Sequence, residues 1–215
     1  MDRRTFLTST MTFAAGAALP GLALAADPAA LPQPSASAKS LLEALKARHT
    51  NRSFLPDPLP AQVISDLLWH GFGVNRADSG RRTAPSYKNW QEIDIYAATA
   101  QGLFLYNAKA HSLTMVLDKD IRALTGKQDF VATAPLNLVY VADYTRMSTD
   151  KAEERLFASA ADTGFISQNV YLFCAVQGLA TVVRANIDKE ALAKAMGLKA
   201  DQGITLAQTV GYPKV

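Results

Sequence analysis

The stretch DTGFISQNVYLFCAVQGLATVV, from Asp162 to Val183, decides the fold class of this chain. It extends a run of helix-forming residues, DKAEERLFASAA, and the two together predict one long helix interrupted only by Gly164. Gly178 is placed to end that helix, because glycine readily adopts the left-handed conformation found at helix C-termini. The following ATVVRANI predicts a strand, so the chain combines a long helix with β structure.

Helical and extended patterns are mixed along the remainder of the chain. Helices are predicted at SAKSLLEALKARH, PAQVISDLLWHGFGV, DKDIRALTG and DKEALAKAMGL. Strands are predicted at EIDIYAAT, APLNLVYVADY, ITLAQTVGYP and both arms of the hairpin GLFLYNAKAHSLTMVL. Because strands follow one another in the middle of the chain, a regular βαβ series is not indicated. The sequence predicts an α+β domain with an antiparallel or mixed sheet packed by helices.

Apolar stripes indicate which helix faces pack. On the first helix the stripe is Leu41, Leu42 and Leu45. On the second helix, four residues are expected to face a core: Val63, Ile64, Leu67 and Leu68. The long helix carries apolar residues on more than one face: Phe157, Phe165, Ile166, Val170, Phe173 and Val176. We therefore expect a homodimer in which this helix packs against a second copy; the alternative is a monomer whose other helices surround it.

Composition fits one compact domain. The 215 residues are 49% hydrophobic and 19% charged, which is enough apolar material for a sizeable core. The net charge is +3 with Lys and Arg scattered along the chain, so nucleic-acid binding is not expected. Cys174 is the single cysteine, and its apolar neighbours predict a buried helical thiol. No metal site is predicted, because metal-ligand spacing is lacking among the histidines His49, His70 and His111.

The first 25 residues have the features of an export signal. They begin with charge, continue with an apolar stretch and end near Ala23-Leu24-Ala25, a typical cleavage signal. RRTFL resembles the twin-arginine motif, with departures on both sides of it. We expect a signal peptide at 1–25, a Pro/Ala/Ser-rich linker or arm at 26–38 and the domain at 39–215, exported to the periplasm by the twin-arginine machinery. An ordinary secretory signal and an uncleaved anchor are the alternatives.

Polar residues that could form a site are concentrated in three loops, at 48–52, 75–91 and 184–186. They offer cationic side chains, hydroxyls and amides but no evident nucleophile or base. Such a set favours a site that binds a ready-made reagent. The first loop belongs to RHTNRSFLPDPLP, from Arg48 to Pro60, and admits two interpretations. It is either a solvated helix end or a cradle for a phosphate group.

Four segments resemble motifs of the FMN-dependent nitroreductase family. RHTNRSF resembles the opening R-[RH]-S-x-[RK]-x-F motif, and RTAPSYKNWQEIDIYAA resembles the A-P-S-x-x-N-x-Q-P-W segment with the strand after it. DTGFISQNVYLFCAVQGLATVV resembles the long central helix, and GLFLYNAKAHSL resembles the hairpin of the branch that includes azoline oxidases. The resemblance spans about Leu41 to Pro213. It implies the nitroreductase-like fold, with the long helix at a dimer interface.

The resemblance implies FMN as the cofactor and the first motif as its phosphate site. Arg48 and Arg52 would contact the phosphate oxygens, with Thr50 adding a hydroxyl and His49 a further contact. Relatives commonly continue past the G-Y-P strand into a tail with basic residues for the phosphate. Here only Lys214 could take that part; otherwise the phosphate would rest mainly on the two arginines.

The resemblance also implies contacts to the flavin ring. Pro85, Ser86 and Asn89 would cover the flavin, often from the partner subunit. Arg184 and Ala185 occupy the place where relatives present backbone donors to the reducible edge of the flavin, which would stabilise its reduced form. Four neighbouring residues admit two interpretations: Asn75, Arg76, Tyr87 and Trp90. They either contact the flavin or substrate, or have a surface or packing role.

The activity implied by the resemblance is two-electron transfer by ping-pong turnover. The donor would be NAD(P)H or another reductant, and the acceptor an electron-poor small molecule such as a nitroaromatic or quinone. Some relatives run the flow in reverse and oxidise a small or peptide substrate. An exported flavin-binding carrier or redox sensor without turnover is the alternative from another class. No residue is assigned as catalytic acid or base, because water can deliver the protons.

Overall fold

The computed structural model describes residues 28–36 and 39–214. The predicted signal peptide, residues 1–25, lies outside these residues. The described part of the predicted linker is docked on the domain: Ala29–Ala30 forms a short strand at the edge of the main sheet. Further along, the N–H and Oγ of Ser35 donate to the Asp66 carboxylate at 2.8 and 2.6 Å. This segment therefore belongs to the folded unit.

The strands are almost all part of one sheet. Numbered in chain order, the strands of the described residues are β1 Ala29–Ala30, β2 Val74–Arg76, β3 Arg81–Arg82, β4 Ile93–Thr99, β5 Gly102–Asn107, β6 Ser112–Leu117, β7 Leu136–Asp143, β8 Ala180–Arg184 and β9 Gln202–Gly211. Seven of them form a sheet in the order β1-β6-β5-β4-β7-β9-β8, with every neighbouring pair antiparallel. β2 and β3 form a separate two-stranded ribbon. The predicted α+β class and the predicted hairpin are confirmed.

Helices cover both faces of this sheet. In the described residues the α-helices are α1 Leu41–Ala47, α2 Ala61–Phe72, α3 Ala152–Gln177 and α4 Lys189–Met196. Leu67 and Leu68 of α2 and Ile166 and Val170 of α3 are fully buried against one face. Leu192 of α4 is fully buried against the other. The predicted core face of α2 is confirmed, its other two positions being partly buried. No helix in the described ranges combines the length and apolarity needed to cross a bilayer.

Local capping explains where the helices begin and end. Ser40 and Glu43 form a reciprocal capping box at the start of α1. Gly178, with a φ of +70°, ends α3 in the left-handed conformation, as predicted. The segment predicted as a short helix, DKDIRALTG, contains instead one 3₁₀ turn, Arg122–Thr125. The turn ends at Gly126, whose backbone is fully extended.

The apolar stripe of α1 does not face the core of its own chain. Leu41, Leu42 and Leu45 are 67%, 61% and 51% exposed, and the buried side of this helix is Ala44. The long helix α3, on which α1 packs, likewise leaves large apolar side chains in solvent: Leu156, Phe157 and Phe165. We call these six residues the apolar surface of α1 and α3. Large exposed apolar surfaces of this kind mark interaction sites.

Candidate functional site

Residues 48–55 run as an extended segment beside β8, the edge strand of the sheet. The Asn51 N–H donates to the Thr181 carbonyl of β8 at 3.0 Å. The Lys214 N–H donates to the Ser53 carbonyl at 3.1 Å. These bonds place Lys214 next to the residue that follows Arg52. The structure therefore brings Lys214 close to the first motif. The sequence had left open whether Lys214 contacts the phosphate or whether the two arginines are its main contacts.

Tyr171 of α3 ties the first motif to the edge of β8. Its hydroxyl lies 3.2 Å from Thr50 Oγ1 and accepts a hydrogen bond from the Val183 N–H at 3.0 Å. The Arg48 guanidinium carbon lies 5.6 Å from the centre of the Tyr171 ring. Sequence reasoning missed Tyr171, although it lies within the segment used to identify the long helix. Its three contacts fix the position of the first motif against the strand.

The first motif and Lys214 present cations with no internal counter-charge. Arg48 is half-buried, and Arg52 and Lys214 are exposed. Within residues 28–36 and 39–214, none of the three lies within ion-pair distance of a carboxylate. The His49 Nδ1 lies 2.8 Å from the Ala47 carbonyl, so this ring is engaged locally. Arginines and a lysine left free beside a hydroxyl suit a phosphate group.

Arg184 and Ala185, the two residues predicted to present backbone donors at the end of β8, have different surroundings. Arg184 is buried, and its guanidinium donates to Thr209 Oγ1 at 3.1 Å, the Thr125 carbonyl at 2.7 Å and Asn137 Oδ1 at 3.0 Å. Burial lowers the pKa of Arg184 to about 10. The side chain is thus committed to the interior of the domain.

The backbone of this strand end points in alternating directions. Since the Val183 N–H points to the outer edge of β8, continuing the alternation turns the Ala185 N–H outward as well. The Arg184 N–H then points toward β9. The prediction of backbone donors to a flavin therefore applies to Ala185 and stays a prediction.

The second predicted loop is held in an uncommon backbone conformation. Lys88, Asn89 and Gln91 have φ values of +50°, +57° and +50°. Such left-handed conformations cost a non-glycine residue about 1 kcal/mol or more each. The loop compensates with internal bonds: Ser86 Oγ accepts from the Gln91 N–H at 2.7 Å, and Asn89 Oδ1 accepts from Gln91 Nε2 at 3.1 Å. A loop over-determined in this way is typical of a functional segment.

A buried pair of carboxyls anchors this loop to α3, and sequence reasoning missed it. The Asp162 carboxylate accepts the Tyr87 N–H at 3.1 and 2.9 Å, and Glu92 lies beside it. Ser86 Oγ donates to Glu92 Oε2 at 3.4 Å, while Glu92 Oε1 has no hydrogen-bond partner. Burial, with the charge of Asp162 adding to it, raises the pKa of Glu92 to about 7. Neither carboxyl has an ion-pair partner in the part of the chain that the structure describes.

The two predicted loops contact α3 at different positions along its axis. Tyr171 marks the first motif and Asp162 the second, and nine residues of helix between them correspond to about 13.5 Å along its axis. Within one chain, the first motif, Lys214 and the β8 edge form one group. Pro85, Ser86 and Asn89 belong to the other.

Comparison with known proteins decides the family. The sequence model described as the nitroreductase family matches residues 45–212. The chain belongs to the nitroreductase family. A "putative nitroreductase" of Methanocaldococcus jannaschii is 30% identical over 161 residues, which cover 70% of this chain and 81% of that protein. Membership makes the protein an oxidoreductase, and it supports flavin as the class of cofactor.

Solved structures of nitroreductases share the fold. A "putative nitroreductase" from Ralstonia eutropha JMP134 is 39% identical with a TM-score of 0.82, covering 89% of this chain and 96% of that one. The NADPH:FMN oxidoreductase of Vibrio harveyi, complexed with NAD⁺, is 19% identical with a TM-score of 0.61, covering 81% of this chain and 69% of that one. The second likeness shows the fold alone. The predicted nitroreductase-like fold is confirmed.

The residues left open by the sequence have packing partners in this nitroreductase fold. The Arg76 guanidinium donates to the Arg82 carbonyl at 2.7 Å, across the β2–β3 ribbon. The Tyr87 and Trp90 rings are in edge contact at 5.3 Å, and Trp90 Nε1 donates to Ser148 Oγ at 3.0 Å. Cys174 is fully buried, as predicted, and burial raises the pKa of its thiol.

Proposed function

We propose that this protein is an FMN-dependent oxidoreductase that transfers two electrons between a donor, NAD(P)H or another reductant, and an electron-poor small molecule such as a nitroaromatic or quinone. The observation that carries the proposal is the group beside the β8 edge. Arg48, Arg52 and Lys214 lie there next to the Thr50 hydroxyl, with no carboxylate of the described residues within ion-pair distance. The family match supports the reaction class, and the shared fold of the Vibrio harveyi NADPH:FMN oxidoreductase supports FMN as the flavin.

In this proposal each residue of the first group has one task. Arg48, Arg52 and Lys214 neutralise the phosphate, and Thr50 donates its hydroxyl while Tyr171 holds it in place. The outward N–H of Ala185 faces the reducible edge of the ring. FMN, when bound, supplies the two-electron chemistry. The protein binds and orients it, and no side chain is assigned as acid or base.

The proposed active form is a homodimer with two flavin sites, each completed by the second loop of the other chain. The apolar surface of α1 and α3 supports dimerisation, because six large apolar side chains are left in solvent by the single chain. Ser86 and Asn89 then cover the flavin held by the other chain. The strained, internally bonded loop at 86–91 is suited to that task, because it is rigid before the dimer forms.

The proposed location is the periplasm, reached by the twin-arginine route, which carries folded proteins with their cofactor. This location bears on the donor, because nicotinamide donors are cytoplasmic. The hairpin β5–β6, which resembles that of azoline oxidases, adds oxidation of a small or peptide substrate as the reverse direction. Donor and direction are therefore measured separately from flavin binding.

The test begins with the spectrum of the purified protein. We expect the absorbance of bound flavin, and anaerobic addition of NADH or NADPH should bleach it. A coloured protein that neither NADH nor NADPH bleaches would indicate another donor, oxidase chemistry, or the carrier or sensor function. A colourless protein that cannot be reconstituted with FMN would contradict the enzyme proposal altogether.

A further inference from the structure

A cavity lies between the C-terminal end of α2 and the strands β4, β5 and β6, far from the β8 edge of the same chain. We call it the α2 cavity. Its volume is about 520 Å³. Small-molecule pockets span roughly 300–1,000 Å³. β5 and β8 are four strand steps apart in the sheet, which corresponds to about 19 Å. Of the residues proposed to contact FMN, only Asn89 lines this cavity.

Arg82 is a cation in the wall of the α2 cavity. Its guanidinium carbon lies 4.5 Å from the centre of the Phe72 ring. Nε donates to Gln91 Oε1 at 2.8 Å and Nη1 to the Phe72 carbonyl at 3.2 Å, and both acceptors are neutral. Among the residues that the structure describes, Nη2 has no acceptor and no carboxylate lies within ion-pair distance of Arg82. Burial lowers the pKa of Arg82, because its charge is poorly solvated.

The other charges of the wall leave a positive balance. The Arg146 guanidinium donates to both carboxylate oxygens of Asp94, at 2.9 and 2.8 Å, and lies 3.4 Å from the Asp143 carboxylate. Lys109, at the β5–β6 turn, is exposed and has no ion-pair partner among residues 28–36 and 39–214. These three cations, with Arg82 included, exceed the two carboxylates by one charge, which favours an anion over a neutral molecule.

The remainder of the wall contains aliphatic and aromatic side chains alongside polar ones. Ile95 and Leu105 contribute aliphatic surface, and Trp90 and Tyr106 contribute rings. Aromatic side chains pack well against a flat ring of a ligand. A planar guanidinium, in turn, matches a carboxylate in a bidentate geometry.

We propose that the α2 cavity binds a small aromatic carboxylate, whose carboxylate group pairs with Arg82 and Lys109 and whose ring packs against Trp90 and Tyr106. The proposal does not depend on the redox function, since the cavity and its cations are separate from the β8 edge. It accounts for a poorly solvated arginine that forms no ion pair within the described residues. The bonds to Gln91 and Phe72 orient this guanidinium but leave its charge in place.

The experiment is isothermal titration calorimetry on the FMN-loaded protein with benzoate and with benzamide, its neutral analogue. Benzoate should bind at least about tenfold more tightly than benzamide, because hydrogen bonds to an ionised acceptor are stronger than those to a neutral one. Arg82→Gln should weaken benzoate binding by about the same factor. Arg81→Gln is the matched control: its side chain is exposed, carries the same charge and does not line the cavity. It should change the affinity by less than about twofold.

A further variant keeps the proposal decidable. Lys109→Gln should weaken benzoate binding about two- to fivefold, as expected for an exposed ion pair, and it decides the matter if Arg82→Gln does not fold. Equal affinity for benzoate and benzamide, or unchanged binding in the variants, would each overturn the proposal.

Discussion

Replacing Glu92 by glutamine is expected to stabilise the folded protein, and to do so most at alkaline pH. The Glu92 and Asp162 carboxyls are both buried, and no cation pairs with them in the described residues. Ionising both is therefore unfavourable, and burial together with the Asp162 charge raises the pKa of Glu92. The Glu92→Gln variant keeps the shape of the side chain and offers an amide N–H to Asp162 at every pH.

The magnitude follows from the pKa of Glu92, which rises from an ordinary 4.5 to about 7 in the fold. A pKa raised in this way means that stability is fully present below the ordinary value and is lost as the pH rises through about 7. At about 1.36 kcal/mol for each pH unit, the wild-type protein loses at most about 3 kcal/mol by pH 8. The variant avoids this loss, so its advantage should be about 1 kcal/mol at pH 5 and about 3 kcal/mol at pH 8.

Thermal unfolding at fixed protein and FMN concentrations measures this advantage. For a domain of this size, about 3 kcal/mol corresponds to a rise in Tm of roughly 6–12 °C at pH 8. Glu190→Gln, a change of the same chemistry at an exposed position of α4, should shift Tm by no more than about 2 °C at either pH. A Glu92→Gln variant that is less stable than wild type at pH 8, or equally favoured at both pH values, would refute the reasoning.

Three other substitutions test the site and the assembly. Arg48→Ala should weaken FMN binding about tenfold or more in a flavin-fluorescence titration, whereas Lys46→Ala, on the exposed last turn of α1, should leave it nearly unchanged; equal retention in both variants would remove Arg48 from the site. Arg184→Met should lower the free energy of unfolding in urea by about 3 kcal/mol, because it leaves buried acceptors unpaired; a loss below about 1 kcal/mol would contradict that structural role. Phe165→Asp should convert the proposed dimer to monomers and lower its flavin occupancy, as followed by light scattering and absorbance; a monomeric wild-type protein with full flavin occupancy would sink the shared-site proposal.

Local sequence patterns were sufficient for most of the elements and for the family. The long helix and its end at Gly178, the β5–β6 hairpin and the α+β class were predictable, because each depends on periodicity or turn chemistry within a few residues. The order of four motifs was sufficient for the family, since each motif is a local pattern. The apolar residues of α1 were also visible, but not their exposure, which depends on what α1 packs against.

How distant residues combine depends on tertiary packing and could not be predicted from local patterns. Glu92 and Asp162 are far apart in the chain, and the packing of the second loop on α3 makes them a buried pair. At the end of β8 the sequence assigned Arg184 and Ala185 the same role, whereas the alternation of the strand sends the Arg184 side chain into the interior. Sheet register and helix packing create these contacts, and they act between segments whose local sequences carry no signal of one another.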